Sequence, residues 1–307
     1  YGTVYGGNKP RKLELVLPQA IASGARTVIT TGPMGTHHGL ATALYGRQLG
    51  LDIALLLTYQ RPNEHVILQL CRMRRAGAQL HYVASGPRLV MATPWYSAKY
   101  MLRDRGRHPY LLPPGGSTPL GAIGYVNAAL ELAEQVHAGD LPEPAAIVLA
   151  VGSGGTVAGL ALGLGLSSLN SRVIGVAVTR APTTWALTVK RLALQTAAFM
   201  RRKGATGLEP KLADVVVLDR FLGGGYGRPT RRSEEARQLL AAEDGLHLDP
   251  TYTAKAMAGL IEICRTGEIR GPVLYWHTYD ARLSDDERPS SAEFTALPAP
   301  FRRFCPA

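Results

Sequence analysis

Short apolar runs rich in β-branched residues alternate with amphipathic segments along most of this 307-residue chain. Runs at 26–31, 51–59 and 78–84 enclose two segments with helical periodicity, at 39–50 and from about 63 to 75,. The same rhythm returns later in the chain, with apolar runs at 145–152, 172–178, 214–219 and 271–278. Strands joined through helices lie parallel and are covered on both faces. The alternation therefore predicts an α/β fold with two parallel sheets wrapped by helices.

The stretch "PYLLPPGGSTPLG" at 109–121 follows a further helix-like segment and separates the two sets of runs. Its prolines and glycines indicate a crossover. We place the domain boundary within residues 113–121. This predicts a smaller α/β domain at 21–121 and a larger domain made of residues 1–20 and 122–307.

The chain is basic, with 34 Lys and Arg residues against 23 Asp and Glu residues and a formal net charge of +11. Such a charge favours anionic ligands or a nucleic-acid surface. The densest basic groups, at 72–75, 103–107 and 201–203, lie on or just beyond predicted helices and have no aromatic residues between them. That arrangement is typical of solvated helix faces, so no nucleic-acid partner is predicted.

The three cysteines, Cys71, Cys264 and Cys305, are odd in number and lack the spacing of metal ligands,. They indicate neither a disulfide framework nor a zinc site, and they fit a reducing compartment. No apolar run reaches the about 20 residues that span a bilayer, and no signal peptide opens the sequence. We expect a soluble cytoplasmic protein without a membrane partner, whose proline-rich end at 297–307 packs on the surface or is partly disordered.

A glycine-rich turn, within "AVGSGGTVAGL", joins an apolar run to a small-residue helix. Its members are Gly152, Ser153, Gly154, Gly155 and Thr156. Amides that converge at a helix N-terminus favour an anion, typically phosphate. A P-loop would need Gly-Lys-Ser/Thr, which is missing, and Val157 stands where the dinucleotide pattern has its third glycine. Tight packing of a strand against a helix is the alternative explanation of the turn.

Lys9 lies in "GGNKPRKLE", two residues after paired glycines and next to Asn8. Glycines let a bulky group approach the backbone, and an asparagine beside the lysine could fix such a group. An amine and a phosphate-binding turn, without a nucleotide motif, favour pyridoxal phosphate, held by a Schiff base to the lysine and by its phosphate at the helix end. Alternatively, Lys9 and Lys12 only decorate the start of a helix.

Six stretches occur in the same order in a known family, namely "GGNKPRKLE", "PPGGSTPLGAIGYVNAALELAEQ", "GSGGTVAGL", "GGGYGRPT", "LDPTYTAKAMAGL" and "LYWHT". On these stretches the chain resembles the fold type II pyridoxal-phosphate enzymes, and within them the branch of D-cysteine desulfhydrase and 1-aminocyclopropane-1-carboxylate deaminase. The resemblance covers most of the chain. It implies a two-domain fold like that of the tryptophan synthase β-subunit, pyridoxal 5′-phosphate as the cofactor, a small amino acid as the substrate, and a homodimer.

The resemblance also implies which residues form the site. Lys9 would carry the Schiff base and shuttle protons, with Asn8 and Lys12 near the phosphate. The glycine-rich turn would hold that phosphate. Tyr226 and Tyr252 match two active-site tyrosines of this branch, which flank the substrate and assist proton transfer.

The chain departs from the family where the family usually reads Ser-Asn-His, because it has Thr36, His37 and His38. Thr36 keeps a hydroxyl that could do the catalytic work of the serine. His37 replaces an asparagine that would bond to the phenolic oxygen of the cofactor ring, and an imidazole can donate there and can titrate near neutrality. A helix-cap or cofactor role is favoured over a metal site, since adjacent side chains diverge and no third ligand is evident.

Three further departures affect what surrounds the site. Tyr279 and Asp280 replace the paired glycines that follow "LYWHT" in the family, and they would crowd or reshape the wall beside the ring,. Asp280 could reach the pyridine nitrogen or a cationic substrate, or it could face outward as a surface residue. Pro33, in "GPMG", is expected to change the pocket for the substrate carboxylate. Family members carry a strand segment before "GGNK", so a trimmed or incompletely ordered N-terminus is expected here.

The residue after the Asp-Pro-Thr-Tyr stretch is Thr253, where the deaminase branch has a glutamate, and Thr278 is another hydroxyl expected at the cofactor. A hydroxyl at the pyridine nitrogen gives a weaker electron sink than a carboxylate, which suits β-elimination better than cyclopropane ring opening. The sequence therefore favours an α,β-elimination that releases ammonia and a 2-oxo acid. Ring-opening deamination, racemisation, β-replacement, and a cofactor-binding homologue that has lost catalysis stay open.

Overall fold

The computed structural model describes residues 4–280 and 288–305 of the chain. In these ranges the strands are β1 Thr27–Pro33, β2 Asp52–Thr58, β3 Gln79–Ala84, β4 Tyr110–Leu112, β5 Ala146–Val151, β6 Arg172–Ala177, β7 Val215–Leu218 and β8 Val273–Tyr275. The helices are α1 Pro10–Ala22, α2 His37–Gln48, α3 Glu64–Arg75, α4 Gly86–Arg103, α5 Pro119–His137, α6 Gly155–Leu166, α7 Ala186–Arg202, α8 Arg231–Glu243, α9 Thr253–Thr266, α10 Ser291–Ala296 and α11 Ala299–Arg302.

The first sheet has four parallel strands in the order β3-β2-β1-β4. Its central strand, β1, is flanked by β2 and β4, and four of its seven residues are buried in a row, as expected for a strand covered on both faces. The sequence did not predict β4, because the stretch 109–121 was interpreted as a crossover alone. Tyr110–Leu112 pairs with β1 just before Pro113, whose missing N–H cannot continue a ladder,.

The second sheet also has four parallel strands, in the order β7-β6-β5-β8. Helices α5, α6 and α7 cover one face of it and α9 packs on the other, with a buried apolar cluster on each side. The predicted α/β fold with two parallel sheets flanked by helices is thus confirmed. No helix within the described ranges combines the length and the apolarity needed to cross a bilayer.

Contacts between Cα atoms group the chain into two compact units, each of which contains one sheet. The first unit is Tyr1–Gly116 with Arg282–Ala307, and the second unit is Ser117–Ala281. The predicted domains divide the chain differently, because they assign residues 1–20 to the larger domain. Those domain bounds stay a prediction.

The described part of the proline-rich end includes helix α11, Ala299–Arg302. Leu297 and Phe301 have no exposed surface, and the Phe301 ring lies edge-on to Tyr82 at 5.7 Å. Glu293, just before them, forms an ion pair with Arg75 of α3. Of the two expectations for this end, a packed tail or a partly disordered one, these residues fit the packed tail, because two of their apolar side chains are buried,.

Helices α5 and α6 approach each other closely at Gly159. A Cβ atom added there would lie 2.3 Å from the carbonyl oxygen of Ala122 and 2.5 Å from Cβ of Tyr125. Neither neighbour is the flexible end of a side chain, so the two helices would have to separate. The small residues of α6 are therefore a packing requirement of the second unit.

We expect Gly159→Ala to lower the free energy of unfolding by about 1–3 kcal/mol, because overpacking forces the backbone to shift. Urea denaturation followed by circular dichroism measures the change. Gly86→Ala, at the start of α4, is the matched control, since an added Cβ there meets no atom within 4 Å. The packing argument fails if the two variants lose the same stability.

Candidate active site

Lys9 lies at the N-cap of α1, with Pro10 at the first helical position and Gly7 just before. Proline suits the first helical position because its fixed φ matches the helix and it has no N–H to leave unbonded. Gly7 has a φ of +66°, a left-handed conformation that favours glycine,. The Lys9 ammonium donates a hydrogen bond to the side-chain oxygen of Asn8. The Lys9 amine is thus hydrogen-bonded to Asn8 at the start of α1.

Lys12 is only 2% exposed, one turn into the same helix. Its ammonium donates to the carbonyl oxygen of Gly115 at 3.3 Å. Burial, together with the nearby charge of Lys9, holds the pKa of Lys12 well below the usual lysine value,. The alternative in which Lys12 decorates the surface of a helix is therefore wrong.

Thr36 caps α2, and its hydroxyl accepts a hydrogen bond from the amide of Gly39 at 3.2 Å,. His37 follows at the first helical position, and its Nδ1 lies 2.8 Å from the hydroxyl of Tyr5. The His37 ring also lies 5.1 Å from the ring of His65. The structure thus gives Thr36 a capping role and places His37 between two aromatic rings of the first unit.

His38 points away from these partners and is buried. Its Nε2 lies 2.9 Å from the hydroxyl of Thr30. Burial is the main reason why the pKa of His38 falls to about 3, and the charges of Lys9 and Lys12 add to it,. His38 is therefore neutral at physiological pH. No cluster of three His, Cys, Asp or Glu side chains that could hold a metal occurs in the parts of the chain that the structure describes.

The glycine-rich turn joins the end of β5 to the start of α6, as predicted. Gly154 is the N-cap of α6 and has a φ of +79°. A Cβ there would lie 2.8 Å from the carbonyl oxygen of Thr183, so a larger residue would move the turn. The amide of Gly155 donates to the hydroxyl of Ser117 at 3.2 Å, and that hydroxyl donates to Ser153 at 2.8 Å.

This turn fits a phosphate. Its first-turn amides have no partner within the helix by geometry, and the helix dipole places partial positive charge there. The first turn of α6 carries no acidic side chain, and the hydroxyls of Ser117 and Ser153 lie at the same place. Thr156 is buried in that first turn. The five predicted residues, 152–156, therefore lie together at one helix N-terminus.

The two predicted tyrosines are in contact. The hydroxyls of Tyr226 and Tyr252 are 2.8 Å apart, and their rings meet edge to face with centroids 5.6 Å apart. Tyr252 also lies against the glycine-rich turn, since its Cε1 is 3.1 Å from the position of a Cβ added to Gly152. Burial raises the pKa of Tyr226 well above its usual value and raises the pKa of Tyr252 to about 12,. Both phenols are therefore neutral near pH 7 and can donate a proton.

The sequence interpretation missed Asp249, which orders the start of α9. Its carboxylate accepts hydrogen bonds from the amides of Thr251, Tyr252 and Thr253 at 3.0, 2.9 and 3.0 Å. The hydroxyl of Thr253 also donates to the Asp249 carboxylate, at 2.7 Å, and Thr253 is only 1% exposed. The single hydroxyl proton of Thr253 is therefore already engaged in a hydrogen bond within the protein. An aspartate shortly before a predicted helix is a capping signal that could have identified Asp249.

The segment after β8 carries the remaining predicted residues. Thr278 and Tyr279 are half-buried. The hydroxyl of Tyr275 donates to the carbonyl oxygen of Thr253 at 2.8 Å and so ties this segment to α9. Asp280 is only 7% exposed. The alternative of an outward-facing surface carboxylate is therefore wrong for Asp280.

The fold contains two parallel sheets covered by helices. It also has a glycine-rich turn at a helix N-terminus that fits an anion, and a lysine amine at the start of another helix. Enzymes that bind a phosphorylated aldehyde use such a turn and such an amine. The family model described as "Pyridoxal-phosphate dependent enzyme" matches residues 1–278. The chain belongs to this family.

Individual relatives agree with this assignment. The chain is 36% identical to a D-cysteine desulfhydrase of Klebsiella pneumoniae (strain 342), over 89% of this chain and 82% of the relative. It is also 36% identical to a protein of Pyrococcus furiosus provisionally named as a 1-aminocyclopropane-1-carboxylate deaminase, over 90% and 81% of the two chains. A crystal structure of an ACC deaminase homologue superposes with a TM-score of 0.76 at 32% identity, over 89% of this chain and 80% of that one. The resemblance and the cofactor, pyridoxal 5′-phosphate, are thus confirmed.

Proposed function

We propose that this chain catalyses an α,β-elimination on a small amino acid such as D-cysteine or a related β-substituted amino acid. One water is consumed, and the products are the protonated leaving group, ammonia and a 2-oxo acid. The observation that carries the proposal is the neutral, hydrogen-bonded pair of tyrosine hydroxyls, Tyr226 and Tyr252, of which Tyr252 lies beside the glycine-rich turn. The likeness to a D-cysteine desulfhydrase at 36% identity supports the same reaction class.

Pyridoxal phosphate, when bound, supplies an electron sink for negative charge at the substrate α-carbon. Lys9 would hold the cofactor aldehyde in the absence of substrate, and its amine, once free in the presence of substrate, would take the proton from the α-carbon. The bond from the β-carbon to the leaving group then breaks, and the electron pair departs with that group. Tyr252, which is neutral and hydrogen-bonded to Tyr226, donates the proton that the leaving group needs.

The other predicted residues bind and orient. Asn8 directs the Lys9 amine, to which it is hydrogen-bonded. Lys12 neutralises phosphate charge, while Thr36 and His37 contact the substrate and the phenolic oxygen of the cofactor. These assignments rest on the resemblance and on the position of each side chain in the first unit.

The pyridine nitrogen takes its hydrogen bond from a hydroxyl in this proposal. The Thr253 hydroxyl already donates its hydrogen bond to Asp249, so Thr253 contributes to that side of the site indirectly, by ordering the start of α9. Thr278 supplies the hydroxyl that faces the nitrogen. A hydroxyl does not protonate the ring, and this favours elimination over cyclopropane ring opening.

Purified, cofactor-saturated protein tests the proposal. We expect a yellow protein whose absorption shifts on addition of D-cysteine or β-chloroalanine, with pyruvate accumulating. The same assay with L-cysteine, serine and 1-aminocyclopropane-1-carboxylate defines the substrate. Formation of 2-oxobutyrate from the cyclopropane substrate alone would favour ring-opening deamination, the activity in the provisional name of the Pyrococcus relative. Bound cofactor that no amino acid perturbs would indicate a homologue that has lost catalysis.

The resemblance to this branch also supports a homodimer in the cytoplasm. Sedimentation equilibrium of the purified chain measures the oligomeric state. A mass twice the 32.9 kDa of one chain is the expected result.

A further inference from the structure

Lys255 is a buried lysine that the proposed mechanism does not use. It lies on α9 and has no exposed surface. Its ammonium donates to two backbone carbonyl oxygens, that of Leu222 at 2.8 Å and that of Gly225 at 2.9 Å. Lysine is almost never fully buried unless it is paired, because its charge loses hydration. Burial lowers the pKa of Lys255 to about 8, although the nearby carboxylate of Asp249 opposes this.

Both carbonyls belong to a glycine-rich loop, which also has backbone hydrogen bonds of its own, from Leu222 to Asp219 at 3.0 Å and from Gly225 to Leu222 at 3.3 Å. The loop runs through three consecutive glycines, 223–225, and has a φ of +61° at Gly223 and +113° at Gly225. Glycines have no side chains to anchor and lose more conformational freedom on ordering than other residues. The two bonds from Lys255 span this glycine run from one end to the other.

The next residue along the chain is Tyr226. Its hydroxyl reaches that of Tyr252, which stands one helical turn before Lys255 at the start of α9. One turn of α9 therefore carries both the partner of Tyr226 and the group that holds the Tyr226 loop.

We propose that Lys255 is a positioning residue for the elimination, which clamps the loop 222–225 so that the Tyr226 hydroxyl stays bonded to Tyr252. The proposal rests on the proposed function of the two tyrosines. The Lys255 ammonium donates its hydrogen bonds to the carbonyl oxygens of Leu222 and Gly225, so it acts through the backbone that carries Tyr226. A lysine that only filled space would be replaceable by an apolar side chain of similar length.

Lys255→Met tests this distinction, because it keeps the length of the side chain and removes all donors. We expect hydrogen exchange of the amides at 222–228 to accelerate at least about tenfold in the cofactor-loaded protein. We expect kcat to fall about tenfold while KM changes little, since the tyrosines act on the reacting atoms. Lys203→Met, on an exposed lysine after α7, is the control and should change neither quantity. If Lys255→Met does not fold, Lys255→Gln replaces it. This variant keeps one donor group, so its amide exchange at 222–228 and its kcat should lie between those of the wild type and those expected for Lys255→Met.

A double-mutant cycle with Tyr226→Phe shows whether Lys255 acts through Tyr226. The double variant should turn over no more slowly than Tyr226→Phe alone, because the clamped group is already lost. If the kcat losses of the two single variants multiply in the double variant, the proposal is wrong. It is also wrong if hydrogen exchange of the amides at 222–228 is unchanged in Lys255→Met. The exchange measurement does not depend on turnover. A wild-type protein without elimination activity would thus refute the proposed function and leave the clamp to be judged by exchange.

Discussion

Lys9→Ala is expected to lower turnover at least about a thousandfold, because in the proposed mechanism the Lys9 amine both holds the cofactor aldehyde and acts as the base at the substrate α-carbon. The amine lies at the start of α1, where it donates a hydrogen bond to Asn8. Accumulation of 2-oxo acid under saturating cofactor measures the loss. Borohydride reduction followed by peptide mapping should place a pyridoxyl group on Lys9 in the wild type.

The fold should survive this substitution, since Lys9 lies at the N-cap position and is not in the apolar core. Lys203→Ala, at an exposed position in the second unit, controls for the loss of a lysine and should keep full turnover. A pyridoxyl group on Lys12 would transfer the role to that buried amine, whose pKa lies well below the usual lysine value because of burial. Retained turnover in Lys9→Ala would exclude Lys9 from the chemistry altogether.

Much of the fold could be predicted because parallel strands are buried on both faces and so read as apolar runs. The runs at 145–152 and 172–178 correspond to β5 and β6, whose register is continuous over all six residues of each strand. The three-residue strand β4 carries too few residues to show a period, and its prolines resemble a loop. Its pairing with β1 depends on the tertiary structure.

Some parts of the candidate site could likewise be predicted from the sequence, and others could not. The position of the glycine-rich turn between a strand and a helix could be predicted from its residue types and their order, and the two tyrosines were identified by the resemblance. Asp249 and Lys255 could not, because their partners are backbone atoms that only the folded chain brings within reach. The sequence left open whether Asp280 is buried or exposed for the same reason, since exposure depends on what packs around a residue.

Gly154→Val is expected to weaken cofactor binding about a hundredfold or more, since a strained backbone and a steric contact would both displace the turn amides. Gly154 has a φ of +79°, and a Cβ there would lie 2.8 Å from the carbonyl oxygen of Thr183. The Thr183 hydroxyl also donates to the carbonyl of Gly152 at 2.7 Å, so both ends of the turn would move together. Titration of the cofactor-depleted protein with pyridoxal phosphate, followed by absorbance, measures the affinity.

Gly204→Val separates the two causes, because Gly204 has a φ of +100° and a Cβ there would meet no atom within 4 Å. This control should lose about 1–3 kcal/mol of stability from backbone strain and keep the wild-type cofactor affinity. A folded Gly154→Val protein that also kept that affinity would show that the phosphate binds elsewhere. Unchanged affinity for free pyridoxal, which lacks the phosphate, would in turn locate the defect of Gly154→Val at the phosphate turn.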